Sequence, residues 1–227
     1  MANQHESGEV SQQTLESAGA IVVIGGGGHA KVVISILRKL KPHRILGYTD
    51  LKDNGVLVGV PYLGSDRQLS ALAVERNKLD AVLAVGQIGL GNQRHDLWVQ
   101  LHSYALSFPL IVSPDSIVNE GISCGEGAVV MDGAVINCGA KIGLGAIVNT
   151  NSTIEHDVVL EDWVHVAPGA TISGGVTVGR FSMIGAGATI IEGKKIAASC
   201  LVGAGAIVVR DLTEAGVYVG SPARRIK

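Results

Sequence analysis

Residues 128–172 read AVVMDGAVINCGAKIGLGAIVNTNSTIEHDVVLEDWVHVAPGATI, and the stretch repeats every six residues. Val130, Ile136, Ile142, Val148, Ile154, Leu160, Val166 and Ile172 mark the period. Extended both ways, the count runs from Val112 to Val208 over seventeen positions, each Val, Ile or Leu except Cys124. Four residues after each comes a mostly small side chain, as at Ala128, Ala134, Ala140, Ala146, Ser152 and Ala170. Gly, Asn or an acid often follows the aliphatic residue, as at Gly143, Asn149, Glu155 and Glu161. A period of six fits neither the 3.6 of a helix nor the two of a hairpin strand. It is the period of a hexapeptide parallel β-helix, in which each unit is a short flat strand and a turn. The aliphatic residue then points to the axis and the small one fits the tight corner.

The residues before the repeat alternate between strand and helix patterns. Ala20–Ile24 predicts a buried strand, Ala30–Leu40 a helix and Arg44–Tyr48 a second strand. Ser65–Asn77 predicts a helix with Ser65 as N-cap, Asp80–Val85 a strand, Asn92–Ser103 a helix and Phe108–Val112 a strand entering the repeats. This order predicts a Rossmann-like α/β domain with a small parallel sheet over 20–112, followed by the β-helix over 113–227. Residues 1–19 are expected to be a disordered tail.

Composition narrows the partners. The 227 residues carry Lys+Arg 18 against Asp+Glu 20, a formal net charge of -2 that gives no field for nucleic acid or anionic lipid. A small-molecule partner is expected. No apolar run reaches the roughly 18 residues of a membrane span, and the polar start lacks the apolar centre of a secretion signal, which predicts a cytoplasmic protein. Cys124, Cys138 and Cys200 are odd in number and form no CxxC pair, arguing against a disulfide framework and a thiolate metal site.

Two stretches carry chemistry. Gly25-Gly26-Gly27-Gly28-His29-Ala30 lies between a predicted strand and helix and satisfies G-x-G-x-x-A, with Asp50 ending the next strand. Such glycines let backbone N–H groups and a helix N-terminus approach a phosphate. The sheet lacks a second mononucleotide-binding half, so a single nucleotide with a diphosphate fits the length better than a nicotinamide dinucleotide. In the repeats, Asn149–Asp157 and His165–Ala170 break the bland pattern. His156 follows the inward Ile154 by two residues and should face outward, beside a carboxylate that orients the imidazole and raises its basicity.

The segments VIGGGGHAKVV (23–33), NTNSTIEHDVVLEDWVHVAPGATISGGVTVG (149–179) and GVYVGSPARRIK (216–227) resemble the bacterial sugar O/N-acyltransferase family. That family includes N-acetyltransferases of UDP-4-amino-sugars in bacillosamine synthesis and sialic acid O-acetyltransferases. The resemblance spans residues 20–227 and implies left-handed winding, three units per coil, a homotrimer with active sites between subunits, and acetyl-CoA as co-substrate without a metal. It implies His156 as general base with Asp157 increasing its basicity. His165 and the backbone around Ala186 and Ala204 would contact acetyl-CoA, while Gly28, His29, Ala30, Asp50 and Gly86 would hold a nucleotide-sugar. Several relatives have two adjacent acids where this chain has Thr49-Asp50, so UDP, GDP and dTDP sugars all stay open.

The reading that follows is direct acetyl transfer to the amine of a nucleotide-linked 4-amino-sugar, within glycan biosynthesis. No acyl-enzyme is expected, because Cys124 and Cys200 fall on inward positions and Cys138 has no His-Asp partner adjacent in sequence. The alternatives are O-acetylation of sialic acid or another free sugar and a non-catalytic trimeric scaffold. A zinc-dependent carbonic anhydrase on a similar β-helix would need three histidine ligands, and the repeats hold only His156 and His165.

Overall fold

A computed structural model describes residues 19–40, 44–76, 79–87, 89–104 and 106–227. All but the last residue of the expected 1–19 tail lies outside the described residues. The chain divides between Pro114 and Asp115 into two compact units.

The first unit contains β1 (Ala20–Ile24), α1 (Gly28–Leu40), β2 (Arg44–Thr49), α2 (Leu69–Arg76), β3 (Leu79–Leu83), α3 (Gln93–His102) and β4 (Leu106–Ser107). The strands form one parallel sheet in the order β2-β1-β3-β4. Ile21, Val22 and Val23 are fully buried, and α1 packs Ala30, Val33, Ile34, Ile36 and Leu37 inward. Each of these Val, Ile and Leu side chains contributes about 1.5–3 kcal/mol when buried, offset by the entropy of ordering it. The chain leaves β1 on one side for β2 and returns on the other for β3. The carboxyl end of β1 is therefore the point where strand order reverses, the place where open α/β sheets hold ligands.

Several boundaries differ from expectation. Ser65 does not cap α2 directly: a 3₁₀ turn, Asp66–Gln68, intervenes, and the Ser65 hydroxyl donates to Gln68 Oε1 at 2.9 Å. The strand expected over Asp80–Val85 is Leu79–Leu83. The entering strand expected over Phe108–Val112 is only Ile111–Val112, because Pro109 brings no N–H to a ladder and restricts the residue before it.

In the second unit a two-residue strand recurs every six residues from Ile117–Val118 to Ile207–Val208, with Cys200–Val202 one residue longer. Parallel pairing joins residues one coil apart, as in Lys141↔Val159, Ile147↔His165 and Thr153↔Thr171. Three strands thus complete each coil of a parallel β-helix. The second residue of each strand points inward, so Val148, Ile154, Val166, Ile172 and Ile184 are fully buried, as are the corner residues Ala134, Ala140, Ser152 and Ala170. Each corner has a left-handed position, filled by glycine at Gly139, Gly169 and Gly175 but by Asn151, Asp157, Trp163, Phe181 and Ser199 elsewhere. At the C-terminus, Gly216–Val219 adds to the Cys200–Val202 edge and pairs antiparallel with Arg224–Arg225. No helix among the described residues is long and apolar enough to cross a membrane.

Candidate active site

His156 and Asp157 occupy a corner between two strands, Thr153–Ile154 and Val159–Leu160. Asp157 holds the left-handed position with φ +59°, where the coils below and above use Gly139 and Gly175. A short polar side chain tolerates this conformation better than most non-glycine residues. The position turns the carboxylate back onto its neighbour: His156 Nδ1 lies 2.9 Å from Asp157 Oδ2. With Nδ1–H donating to the carboxylate, Nε2 keeps its lone pair, and the His156 side chain is 58% exposed.

A ladder of side chains fixes a second acid beside the pair. Asn119 Nδ2 donates to Asn137 Oδ1 at 2.7 Å, which turns the Asn137 amide to donate to Glu155 Oε2 at 2.9 Å. The hydrogen bond to Asp157 raises His156 above the ordinary histidine pKa; desolvation opposes it, and the charges of Asp157, Glu155 and Glu192 add to the rise.

His165 lies differently. It is 5% exposed on the strand His165–Val166, with Nε2 3.1 Å from the Asn149 amide nitrogen. Asn149 Oδ1 accepts from the Thr150 N–H at 2.8 Å, so its Nδ2 is the group facing His165. Nε2 of His165 is therefore an acceptor, and the neutral ring carries its proton on Nδ1. Asn149 did not stand out from the repeat by residue type alone. The signal for it was its place at the head of the polar stretch Asn149–Asp157.

Ala186 and Ala204 stack one coil apart at another corner, with Gly205 N–H donating to Ala186 O at 2.9 Å, and both are exposed. Among the described residues, neither of their N–H groups makes a hydrogen bond. At a third corner the equivalent N–H groups are closed off: Leu144 N donates to Asp162 Oδ1 and Arg180 N to Glu161 Oε2, each at 2.9 Å. The Ala186 and Ala204 corner thus presents backbone donors that no side chain covers. An acyl-CoA pantetheine amide or thioester carbonyl fits such donors.

Two of the three cysteines are poor nucleophiles. Burial pushes the Cys124 thiol up to about 12 and raises Cys200 as well, while Cys138 is exposed.

In the first unit, three segments converge at the carboxyl ends of β1, β2 and β3. Gly25 turns with φ +110°, and a Cβ there would lie 3.0 Å from Ala84 O. Asp50 Oδ2 accepts the Gly26 N–H at 2.6 Å, and the Asn54 amide donates to Gly26 O at 3.4 Å. The Tyr48 hydroxyl steadies that loop by donating to Gly55 O at 2.9 Å and accepting from Asn54 N at 3.0 Å. Asp50, expected to face a nucleotide, is thus engaged in clamping the glycine turn. Gly27 and Gly28 open α1 with nothing within 4 Å of where a Cβ would stand, and Ala30 is buried behind them. Gly86 lies against His29, a Cβ there falling 3.6 Å from His29 Cβ. The structure places Gly28, His29, Ala30 and Gly86 at the carboxyl ends of β1 and β3, with Gly86 against His29 and Asn54 on the neighbouring Gly26.

The PglD N-terminal domain matches residues 20–93. The acetyltransferase domain of PglB from Neisseria gonorrhoeae is 32% identical, covering 91% of this chain and 99% of its own, with a TM-score of 0.85; it is also known in complex with acetyl coenzyme A. PerB from Caulobacter crescentus, in complex with CoA and GDP-perosamine, is 36% identical over 92% of this chain and 98% of its own, with a TM-score of 0.84. WeeI from Acinetobacter baumannii is 25% identical over 91% and 99%, with a TM-score of 0.82. A search of curated proteins finds no match.

Proposed function

The chain belongs to the hexapeptide-repeat sugar N-acetyltransferases, and from that premise we propose that it moves the acetyl group of acetyl-CoA to the amine of a nucleotide-linked 4-amino-sugar. The observation that carries the reading is the His156–Asp157 pair, with Nδ1 tied at 2.9 Å and Nε2 left to accept a proton. Acetyl-CoA supplies a thioester carbonyl as electrophile. His156 Nε2 takes the amine proton as the C–N bond forms and the C–S bond breaks, and the proton passes on to the departing thiolate. Asp157 holds the ring's tautomer and stabilises the imidazolium formed. The exposed N–H groups of Ala186 and Ala204, with His165 behind Asn149, suit acetyl-CoA. Gly27 and Gly28, at the first turn of α1 with free space before them, suit a diphosphate. Direct transfer needs no covalent acyl-enzyme, and burial keeps Cys124 and Cys200 protonated at neutral pH.

We propose further that the working form is a homotrimer in which a neighbouring copy covers the His156 corner. Light scattering at assay concentration tests this, and an active monomer would refute it. The substrate reading is tested by incubation with acetyl-CoA and a panel of UDP-, GDP- and dTDP-linked 4-amino-sugars, followed by mass spectrometry. A gain of one acetyl group on a nucleotide-sugar is expected. Acetylation of free sialic acid with none of the nucleotide-sugars would replace the proposal with O-acetylation.

A further inference from the structure

Cys138, His156, Gly174 and Glu192 form a column of corner residues one coil apart, stitched by Asp157 N–H to Cys138 O at 3.1 Å, Gly175 N–H to His156 O at 2.9 Å and Gly193 N–H to Gly174 O at 2.9 Å. Position 174 alone in this column has no side chain. A Cβ built on Gly174 would lie 2.5 Å from His156 Nε2 and 2.6 Å from Cε1, well inside contact distance. The backbone at Gly174 is not left-handed, so conformation alone would admit any L-residue there. Its neighbour Gly175 is the opposite case, with φ +65° and nothing within 4 Å of a Cβ. One glycine is favoured by the turn; the other is required by the imidazole. Gly174 is buried although it sits on a turn, because the ring of His156 covers it.

We propose that Gly174 is a positioning residue, whose missing side chain forms the seat on which the His156 ring lies flat with Nδ1 on Asp157 and Nε2 held at the coil's outer edge. The seat has a counterpart below: a Cβ at Gly139 would fall 2.8 Å from Asp157 Oδ1, so the carboxylate is confined from the other side. The proposal rests on His156 acting as the general base. The atoms nearest a methyl at position 174 belong to the tip of an exposed side chain, which can swing into solvent without disturbing the coil. The cost therefore falls on the geometry of the pair and not on the fold.

Gly174→Ala tests this. In an NMR titration of the full-length protein, the His156 pKa should fall toward the ordinary histidine value as the ring leaves Asp157; an unchanged titration would overturn the seat. Turnover should fall about ten- to a hundredfold with the acetyl-CoA KM nearly unchanged, and the melting temperature should stay where it was. In a His156→Ala background the same substitution should cost nothing more, and an equal loss there would overturn the proposal. If His156→Ala alone keeps wild-type turnover, the general-base reading fails, and the titration still decides whether Gly174 seats the ring.

Discussion

Two corners of one β-helix use the same turn for opposite purposes. At the His156 corner, side chains crowd together: an imidazole bonded to Asp157, a glutamate held by Asn137, and Glu192 one coil above Gly174. At the Ala186 and Ala204 corner the side chains shrink to methyls and the backbone N–H groups are uncovered. The third corner, where Asp162 and Glu161 satisfy the N–H groups of Leu144 and Arg180, shows what the turn becomes when neither purpose applies. A repeated backbone is thus a neutral frame. What a corner can do depends on which side chains are added to it and which are removed.

The most direct way to break this contrast is His156→Ala. Turnover should fall on the order of a hundredfold or more with the acetyl-CoA KM little changed, because a general base acts in the transition state. Steady-state kinetics checks it, and near-normal turnover at neutral pH would remove the catalytic role from that corner. If the corners handle only proton and acetyl group, the acceptor's nucleotide is held in the α/β unit. Gly28→Val should then raise the KM for the nucleotide-sugar about thirtyfold and leave that for acetyl-CoA alone, since the added side chain enters space that the protein itself leaves empty. Equal KM values for wild type and variant would refute that division of labour.

Ala204→Asp converts the bare corner into a copy of the inert one. Its carboxylate would stand above Ala186 N–H as Asp162 stands above Leu144 N–H. The KM for acetyl-CoA should rise up to about tenfold, the worth of one hydrogen bond, with turnover preserved. Isothermal titration with CoA would show the same loss, and unaltered affinity would mean that these N–H groups are not used. The smallest effect is expected from Asp157→Asn, which keeps the shape of the pair and removes its charge. The anion raises the His156 pKa, and the base works when neutral, so wild-type activity rises with pH through a value above the ordinary one for histidine. Without the anion that acid limb should move to lower pH while the plateau drops several-fold. A limb that stays in place would show that Asp157 does not govern the titration.

Much of this was legible in the chain because a β-helix commits each residue by its place in a period. The inward positions from Cys124 to Val208, and the outward aim of His156, follow from counting in sixes. Contacts between coils are harder to see, since they join residues eighteen apart with no local mark. Gly174 stood in a quoted motif without a role; writing the sequence in rows of eighteen would have put it directly over His156. In the α/β unit no such row exists. The bond from Gly26 N–H to Asp50 joins strands through a sheet, and only the folded arrangement shows that this acid holds the turn. Pro109, by contrast, was a readable signal against one continuous entering strand.

The parallel pairing at intervals of eighteen also makes the β-helix a screw thread, with a pitch near 4.8 Å set by strand spacing. Length changes act on a thread by rotation. Deleting one hexapeptide between Asp157 and Ala186 would turn everything beyond it by a third of a revolution, carrying Ala186 to the azimuth now held by Arg180. Deleting three hexapeptides would restore the azimuth and lower the donor corner by a single pitch. The spacing between the His156 corner and the Ala186 corner can therefore drift among descendants of this chain only in whole revolutions if both are to keep their azimuths.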